Sequence, residues 1–394
     1  GDWSSDVCSS DLTVQLNPRH AGGVIDFSRD YYGADLRWTG RALLPNTRLI
    51  AGLAFDAMDE ERKGYENFDA AGYGVKGALR RDESNRLWNL DPYLQASWTF
   101  LPAWTVDAGL RYSNVHYESK DHYIVTGNGD DSGKTDYDKL LPSAALSWAI
   151  SPHLNSYVSY AKGFETPTFT EMAYSGNAGM NFSLKPASSD NYELGLKAQN
   201  AWGNFTAALF QSKTQNDIVS AGNIDGRSTF RNADKTLREG LELSWNKTLW
   251  RELTAQASYS YLDAVFDAEI PNSDPKKAVA KGNRIPGIAE NQAFAALGWQ
   301  PETGFNAGMD VRYMDKIYVD DANSDAAPSY TVVSANAGYV WKPQDWKVRT
   351  YVRADNLFDE NYAGSVIVND GNGRFFEPAD GVNWSAGFSI SKAF

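Results

Sequence analysis

The chain has 394 residues, a formal net charge of −13 and a single cysteine, and 13% of its residues are aromatic. One cysteine excludes an internal disulfide framework and a zinc site built on cysteine ligands. The acidic balance argues against a nucleic-acid partner, because phosphates attract lysine and arginine. The length allows two or three soluble domains or one large β-barrel, and no apolar run reaches the roughly 18 residues of a membrane helix.

The first twelve residues differ from everything that follows them. The segment GDWSSDVCSSDL places two Ser-Ser-Asp repeats around Cys8 and shows neither alternation nor an apolar run. It resembles the translation of a sequencing-library adapter. We therefore expect residues 1–12 to be a non-native segment, in which Cys8 is neither a metal ligand nor a redox centre.

Apolar and polar residues alternate repeatedly along the rest of the chain. In Phe305–Tyr313 every odd position is apolar and every even position is polar or glycine. Because successive strand side chains point to opposite faces, each such segment has one apolar and one polar face. The pattern predicts about fifteen strands and no helix of any length. The predicted strands are residues 31–44, 48–65, 86–100, 104–124, 137–150, 154–168, 189–200, 204–222, 228–249, 252–266, 286–300, 305–320, 329–342, 347–363 and 381–394.

The connections between these strands alternate in length. Short turns at 101–103 and 151–153 contrast with long polar links at 66–85 and 267–285. Short periplasmic turns and long extracellular loops are typical of outer-membrane barrels, whereas a soluble sandwich has no reason to separate its loops in this way. The sequence therefore predicts an all-β fold, a transmembrane antiparallel β-barrel with its apolar face in lipid and its polar face toward a wet lumen.

Tryptophans lie mostly near the strand ends that adjoin the short turns, where an interfacial aromatic girdle is expected. The alternative is that they are ordinary strand residues. The tryptophans concerned are Trp88, Trp104, Trp148, Trp245, Trp250, Trp341 and Trp346.

The last strand has a distinctive end. Trp384–Phe394 is an alternating segment that closes on a phenylalanine, with Phe388 and Ile390 on the same face. It resembles the C-terminal assembly signal of bacterial outer-membrane proteins. The resemblance implies that Phe388, Ile390 and Phe394 are read by the barrel-assembly machinery.

Two further motifs narrow the resemblance. Asn356, Leu357, Phe358, Asp359 and Tyr362 form an "NLFD…Y" pattern, and residues 163–168 read GFETPT. Together they resemble the penultimate-strand motif and the "GF-x-x-PT" element of TonB-dependent outer-membrane receptors. Either motif alone would be weak, whereas the combination is specific.

The resemblance has clear implications for the architecture. Barrels of this family have about 22 strands, and an N-terminal plug domain fills the lumen. The predicted strands fit strands eight to twenty-two, so we expect residues 13–394 to be the C-terminal part of a receptor barrel without the plug domain and the TonB box. The implied location is the outer membrane of a Gram-negative bacterium. The implied partners are the TonB complex, the barrel-assembly machinery, outer-membrane lipid and a small-molecule ligand, with no cofactor.

A narrower resemblance concerns the ligand. Residues 364–378 are similar to the last loop of the subgroup that imports pyrroloquinoline quinone, and residues 226–233 also fit that subgroup. Substrate choice in the family lies in variable loops and in the plug. The resemblance therefore leaves iron–siderophore complexes and pyrroloquinoline quinone both open.

Other chemistry is disfavoured by spacing. The segment 127–135 lacks the first glycine of a phosphate-binding loop. Neither 320–325 nor 370–373 matches a calcium loop, so solvated loop tips are the better interpretation. His116 and His122 would lie roughly 20 Å apart on a strand, too far for one metal. No catalytic signature is present, and we expect a transporter rather than an enzyme.

Arginines on the polar face and aromatics in the loops could hold an anionic, planar ligand, because arginine binds carboxylates in a fork and stacks on rings. The alternative is that the arginines form ion pairs in the wall with Asp107, Asp310 and Asp355. The candidate ligand-binding residues are Arg111, Arg312, Arg353, Tyr174, Phe375 and Phe376.

Three functions are compatible with this sequence. The first is active import of a scarce, bulky ligand, an iron–siderophore complex or pyrroloquinoline quinone, driven by TonB. The second is a passive diffusion porin of the outer membrane, which the "NLFD…Y" motif disfavours. The third is a soluble β-rich binding or structural protein.

Overall fold

The computed structural model describes residues 13–14, 24–41, 44–172, 180–224, 227–271, 278–371 and 373–392. The segment of residues 1–12 and two candidate residues, Tyr174 and Phe394, lie outside the described residues.

The described chain is almost entirely β-structure. Its strands are β1 Thr13–Val14, β2 Val24–Gly40, β3 Thr47–Tyr65, β4 Phe68–Asp69, β5 Gly72–Tyr73, β6 Leu79–Leu101, β7 Trp104–Asp121, β8 Gly133–Ser151, β9 Leu154–Glu165, β10 Ala187–Asn200, β11 Gly203–Ile224, β12 Arg227–Trp250, β13 Leu253–Phe266, β14 Asn291–Trp299, β15 Gly304–Met314, β16 Ile317–Tyr318, β17 Ala326–Ala327, β18 Tyr330–Trp341, β19 Trp346–Asp355, β20 Ala363–Val366, β21 Phe376–Pro378 and β22 Asn383–Lys392. One helical turn, α1, spans Phe169–Met172. Within the described residues no helix has the length and apolarity needed to cross a bilayer.

One large sheet contains all the long strands. Its hydrogen-bonded order is β1-β2-β3-β6-β7-β8-β9-β10-β11-β12-β13-β14-β15-β18-β19-β22, so each long strand pairs with its neighbours in sequence. The remaining strands form small hairpins inside three of the connections: β4–β5, β16–β17 and β20–β21. The predicted all-β, antiparallel architecture is confirmed.

Several strand ends differ from the sequence prediction. β2 begins at Val24 and β6 at Leu79, each seven residues earlier than predicted. The added part of β6 carries charged residues on both faces, so apolar alternation could not reveal it. β19 ends at Asp355, eight residues earlier than predicted, because Asn356 takes a left-handed backbone conformation with φ 52°.

The chain divides into two compact units. Unit 1 consists of the described residues within Gly1–Ala145, Tyr160–Asp190 and Gln215–Ala233, and unit 2 of those within Leu146–Ser159, Asn191–Thr214 and Asp234–Phe394.

Unit 1 keeps one face of its strands apolar and exposed. Leu36 is paired with Leu53, and Leu94 with Leu110, and all four side chains are exposed. The opposite face carries buried charge: the Glu60 carboxylate is paired with Arg29 and accepts a hydrogen bond from Asn85 Nδ2 at 2.9 Å. Burying a carboxylate is costly unless it is paired, and these contacts meet that requirement.

The polar face of unit 1 also holds an apolar cluster that alternation did not predict. Met58, Leu87 and Tyr117 are neighbours across β3, β6 and β7. α1 contributes Phe169 and Met172 to the same cluster. The segment after β9 is therefore packed onto the strands, and Tyr117 and Tyr137 fasten it through hydrogen bonds with Thr166 Oγ1 and Leu184 O, both at 2.8 Å.

Unit 2 repeats the two-faced pattern over β12–β15, β18, β19 and β22. Leu297, Met309 and Phe305 are exposed on the apolar face. Asp310 and Arg312 lie on the opposite face, because they alternate with Met309 along β15. A small core fills the connections of this unit, where Phe266, Val279 and Val319 are fully buried.

The "NLFD…Y" motif forms the turn that ends β19. Asn356 is buried, and its Nδ2 donates to Glu360 O at 2.9 Å and to Asp380 O at 3.3 Å while its Oδ1 accepts from Glu360 N at 2.8 Å. Asp359, also left-handed, accepts a hydrogen bond from Val382 N at 3.0 Å. The motif therefore ties the end of β19 to the start of β22.

Asn356→Ala tests this role. We expect a loss of about 2–4 kcal/mol in the free energy of unfolding, because buried backbone partners lose their hydrogen bonds and alanine disfavours positive φ. Asn356→Gly removes the cost of the positive φ angle but not the loss of the hydrogen bonds. It should therefore be about 1 kcal/mol more stable than Asn356→Ala. The measurement is urea unfolding of the protein in lipid vesicles, followed by tryptophan fluorescence. An Asn356→Ala protein as stable as wild type would contradict the assignment.

Candidate ligand-binding site

An open cavity lies against the polar face of unit 2. The strand register assembles it, since Asn336 lies across from Arg353 and Asp310 from Ser334. Residues that line the cavity include Asn246, Lys247, Gln256, Asp310, Arg312, Asn336 and Arg353. The structure thus brings together two of the predicted ligand-binding arginines, Arg312 and Arg353.

The two arginines differ in what they already bind. Arg353 forms ion pairs with Asp310 at 3.2 Å and with Asp355 at 2.7 Å. Arg312 is exposed, and no described carboxylate lies within 4.0 Å of its guanidinium. An arginine has five N–H donors in a fixed fork. Arg312 is therefore a cation on the polar face of this cavity that can take an anionic group without breaking a described ion pair.

Arg111, the third predicted arginine, lies in unit 1. Its guanidinium holds Asp91 through Nη2 at 2.6 Å and Nε at 3.0 Å. Asp91 is buried and also accepts hydrogen bonds from Ser113 Oγ and Asn114 N. This pair lies beside a second open cavity, which Arg37 and Arg111 line. The ion-pair partner of Arg111 is thus Asp91, whereas the sequence analysis named Asp107 among the candidate carboxylates.

Phe375 and Phe376 lie in the connection between β19 and β22. Their ring centroids are 6.3 Å apart in an edge-to-face arrangement, and Phe376 begins β21. Neither ring lines the cavity of unit 2. The structure therefore separates the two predicted groups of unit 2: the aromatic residues lie in a connection, and the arginines lie on the strands.

Asparagine side chains join three connections of unit 2. Asn323 donates to Arg284 O at 2.9 Å and accepts from Arg284 N at 2.7 Å, and Asn369 Oδ1 accepts from Asp321 N at 3.1 Å. Asn323 and Asn369 both have positive φ, which asparagine tolerates better than most residues. The connections after β13, β15 and β19 are therefore held to each other by side chain–backbone bonds.

The acidic segments of these connections serve as turns. Asp320 accepts hydrogen bonds from Ser324 and Asp370 from Arg374 N. Asp321 and Asp370 are buried, in contrast to the solvated loop tips expected from the sequence. Burial follows from the asparagine bonds, which draw the connections together. Among the described residues no group of three acidic, histidine or cysteine side chains is placed to hold a metal ion.

Asp315, which follows the end of β15, is also held by an asparagine side chain. Asn291 Nδ2 donates to Asp315 at 2.8 Å and keeps the pKa of that carboxyl below its ordinary value. A carboxyl with a lowered pKa stabilises the fold at neutral pH, and that contribution is lost as the pH falls through the lowered value. The contact therefore persists under neutral conditions.

Two of the three residues predicted to form the assembly signal, Phe388 and Ile390, lie on β22. Phe388 and Ile390 are both exposed on the apolar face, which agrees with a strand that meets lipid. Sequence reasoning missed Lys247, Gln256 and Asn336 of the cavity. Gln256 and Asn336 lie on the same face as Arg312, whereas Lys247 is in register with Ala255, Leu297 and Met309 of the apolar face. Only the strand register shows which polar residues of neighbouring strands lie side by side.

The comparisons with known proteins agree with these features. The sequence matches the family described as "TonB dependent receptor-like, beta-barrel" over residues 2–357. A probable TonB-dependent siderophore receptor, PiuA of Acinetobacter baumannii, is 25% identical over 285 residues, which is 68% of this chain and 36% of that protein. The ferrioxamine B receptor of Salmonella typhimurium is 25% identical over 384 residues, 89% of this chain and 51% of that protein. The chain thus spans about half or less of these relatives.

Solved structures share the fold. The siderophore receptor PiuA of Acinetobacter baumannii superposes with a TM-score of 0.76 and 19% identity, covering 94% of this chain and 57% of that one. The ferric yersiniabactin receptor FyuA of Yersinia pestis gives a TM-score of 0.70 and 17% identity, covering 93% and 55%.

The family match spans most of the chain, and it agrees with the sheet order and with the "NLFD…Y" turn. Receptors of this family are proteins of the Gram-negative outer membrane, so that membrane is the location of this protein. This chain belongs to the TonB-dependent receptor-like β-barrel family.

Proposed function

We propose that this chain is the barrel part of an importer that carries an iron–siderophore complex across the outer membrane with energy from the TonB complex. The observation that carries the proposal is the family match over residues 2–357. Two of the relatives it resembles are named as siderophore receptors. The family is one of receptors and transporters, so the proposal includes no catalytic step and no cofactor.

Arg312 is the proposed ligand contact of unit 2. Carboxylate and catecholate groups of a siderophore carry negative charge, and an unpaired guanidinium binds such groups through charge-assisted hydrogen bonds. Arg353 and Arg111 contribute by fixing the charged wall through Asp310, Asp355 and Asp91. Tyr174, Phe375 and Phe376 are proposed to meet the ligand earlier, in the loops.

A second candidate ligand is pyrroloquinoline quinone. Residues 364–378 resemble the last loop of receptors for that compound. The compound is a planar tricarboxylate, so Arg312 and the pair Phe375–Phe376 suit its charge and its rings. Iron–siderophore import remains the main proposal because the named relatives are siderophore receptors.

The proposal also covers assembly and membrane contact. We assign Phe388, Ile390 and Phe394 to recognition by the barrel-assembly machinery, and the apolar face to outer-membrane lipid. The exposure of Phe388 and Ile390 supports both assignments.

Uptake measurements test the importer. In a strain lacking this receptor, three uptakes would be measured: radioactive iron bound to ferrioxamine B, radioactive iron bound to dihydroxybenzoate, and pyrroloquinoline quinone. We expect only the uptake of the true ligand to fall. Expression of the intact gene should restore uptake, and deletion of TonB should abolish it again. Uptake that continues without TonB would identify a passive porin and contradict the proposal.

Arg312→Gln tests the proposed contact. We expect about tenfold weaker binding of an anionic ligand, because one charge-assisted hydrogen-bonded pair is lost at an exposed site. Arg349→Gln is the matched control, since Arg349 is exposed on the same face of β19 as Arg353 and does not line the cavity. The measurement is the dissociation constant from quenching of tryptophan fluorescence. Equal affinities of the two variants would exclude Arg312.

A further inference from the structure

Three connections of unit 2 pack against one another. They are the described residues within 267–290, which follow β13, within 315–329, which follow β15, and within 356–382, which follow β19. Gly287 N donates to Tyr318 O at 2.9 Å, and Ala289 forms an antiparallel bridge with Ile317. The first two connections are therefore joined by backbone pairing as well as by the side chain of Asn323.

The third connection is attached to the other two. Asn369 N donates to Val319 O at 2.9 Å, and Asn369 Oδ1 accepts a hydrogen bond from Asp321 N at 3.1 Å. Gly287 of the first connection has a φ of 80°, and a Cβ added there would lie 3.0 Å from Val368 Cγ2. Each of the three connections therefore contacts the other two, and Asn369 joins the third to the second through both its backbone and its side chain.

Apolar side chains are buried inside these connections. Val279 and Ala289 of the first connection are 2% exposed, and Val319 and Ala327 of the second are 0% and 3% exposed. Segments that open easily have few buried apolar contacts, and their backbone hydrogen bonds are exposed to solvent. These connections have the opposite character, because separating them would expose buried apolar groups and break hydrogen bonds between backbones.

The hairpin β20–β21 links the loop aromatics to this assembly. Val366 is paired with Phe376, and Ile367 N donates to Phe375 O at 2.8 Å. Asn369 follows two residues after Ile367, so the backbone that carries the two rings is attached beside the residue that joins the third connection to the second. Phe376 is 43% exposed and Phe375 is half-buried. The rings therefore stand on a fixed backbone while part of their surface is open to a ligand.

We propose that the three connections form one preformed platform, that Asn369 is the residue that positions Phe375 and Phe376 on it, and that the platform keeps its arrangement when a ligand binds. A surface that is already ordered loses less conformational freedom on binding, so the contact with the two rings needs no folding of the loops. The ligand contact of the rings rests on the proposed import function, whereas the platform itself can be measured without a ligand.

A disulfide across the first two connections tests whether they must part. In the intact receptor, with Cys8 and any further cysteine replaced by serine, cysteines would replace Ala289 and Ile317. Antiparallel bridge partners have Cα atoms about 4.5–5.5 Å apart, which is within the range of a disulfide. Uptake of iron-loaded ferrioxamine B, iron-loaded dihydroxybenzoate and pyrroloquinoline quinone would be measured with and without a reductant, and the two single-cysteine variants are the controls.

We expect the disulfide to form and uptake to be equal in the oxidised and the reduced receptor, because the platform does not open. Uptake that is lost in the oxidised pair and restored by the reductant would overturn the proposal. A cysteine pair that does not form the disulfide would contradict the contact between the two connections.

Asn369→Gly tests the positioning role. Glycine keeps the positive φ and removes the hydrogen bond to Asp321 N, so the amide hydrogens of residues 321 and 369 should exchange about tenfold faster in lipid vesicles. The ligand concentration that gives half-maximal uptake should rise several-fold while the maximal rate stays unchanged, because the rings are held less firmly and the later steps of transport are untouched. Asn216→Gly in unit 1, where φ is 54°, is the matched control and should change neither quantity.

Rapid exchange of these amides in the wild-type receptor, or a half-maximal concentration that Asn369→Gly leaves unchanged, would overturn the proposal. The exchange measurement needs no ligand, so it decides on the platform even where the wild-type receptor imports none of the three probes, an outcome that would refute the proposed function instead.

Discussion

Pairing of backbone polar groups is the constraint on which this structure depends. Within a bilayer a backbone N–H or C=O has no water to bind, and each unpaired group costs several kcal/mol. Long antiparallel ladders such as β3–β6 and β15–β18 meet this demand along most of their length. The same geometry sends alternate side chains to opposite faces, so one sequence period determines both the lipid face and the polar face.

The polar face then sets the electrostatics of the candidate site. The strand order brings Arg353 of β19 to Asp310 of β15, with β18 between them, and Arg111 of β7 to Asp91 of the neighbouring β6. Each of these arginines therefore has its charge compensated by a carboxylate of the wall. Arg312 lies two residues from Asp310 on the same face of β15, but no described carboxylate lies within 4.0 Å of its guanidinium. Arg312 is thus an arginine of the cavity in unit 2 that has no described ion pair, and for that reason it is the proposed ligand contact.

Much of the fold could be predicted because alternation is encoded locally, as in Phe305–Tyr313. The end of β19 could not, since Asn356 depends on Asp380, 24 residues further along. The apolar cluster around Met172 was missed for the same reason: α1 is one short turn whose packing partners come from distant strands. For the site, residue types identified Arg312 and Arg353 together, and only the register of β15, β18 and β19 distinguishes the free arginine from the paired one.

Cysteine scanning along β15 tests most directly the claim that one face of the sheet meets lipid and the other meets water. In the Cys8→Ser background, single cysteines from Phe305 to Arg312 would be treated with a membrane-impermeant maleimide in lipid vesicles. The account predicts labelling at Asn306, Gly308, Asp310 and Arg312 and protection at the positions between them. Uniform labelling, or labelling of the odd positions alone, would contradict it.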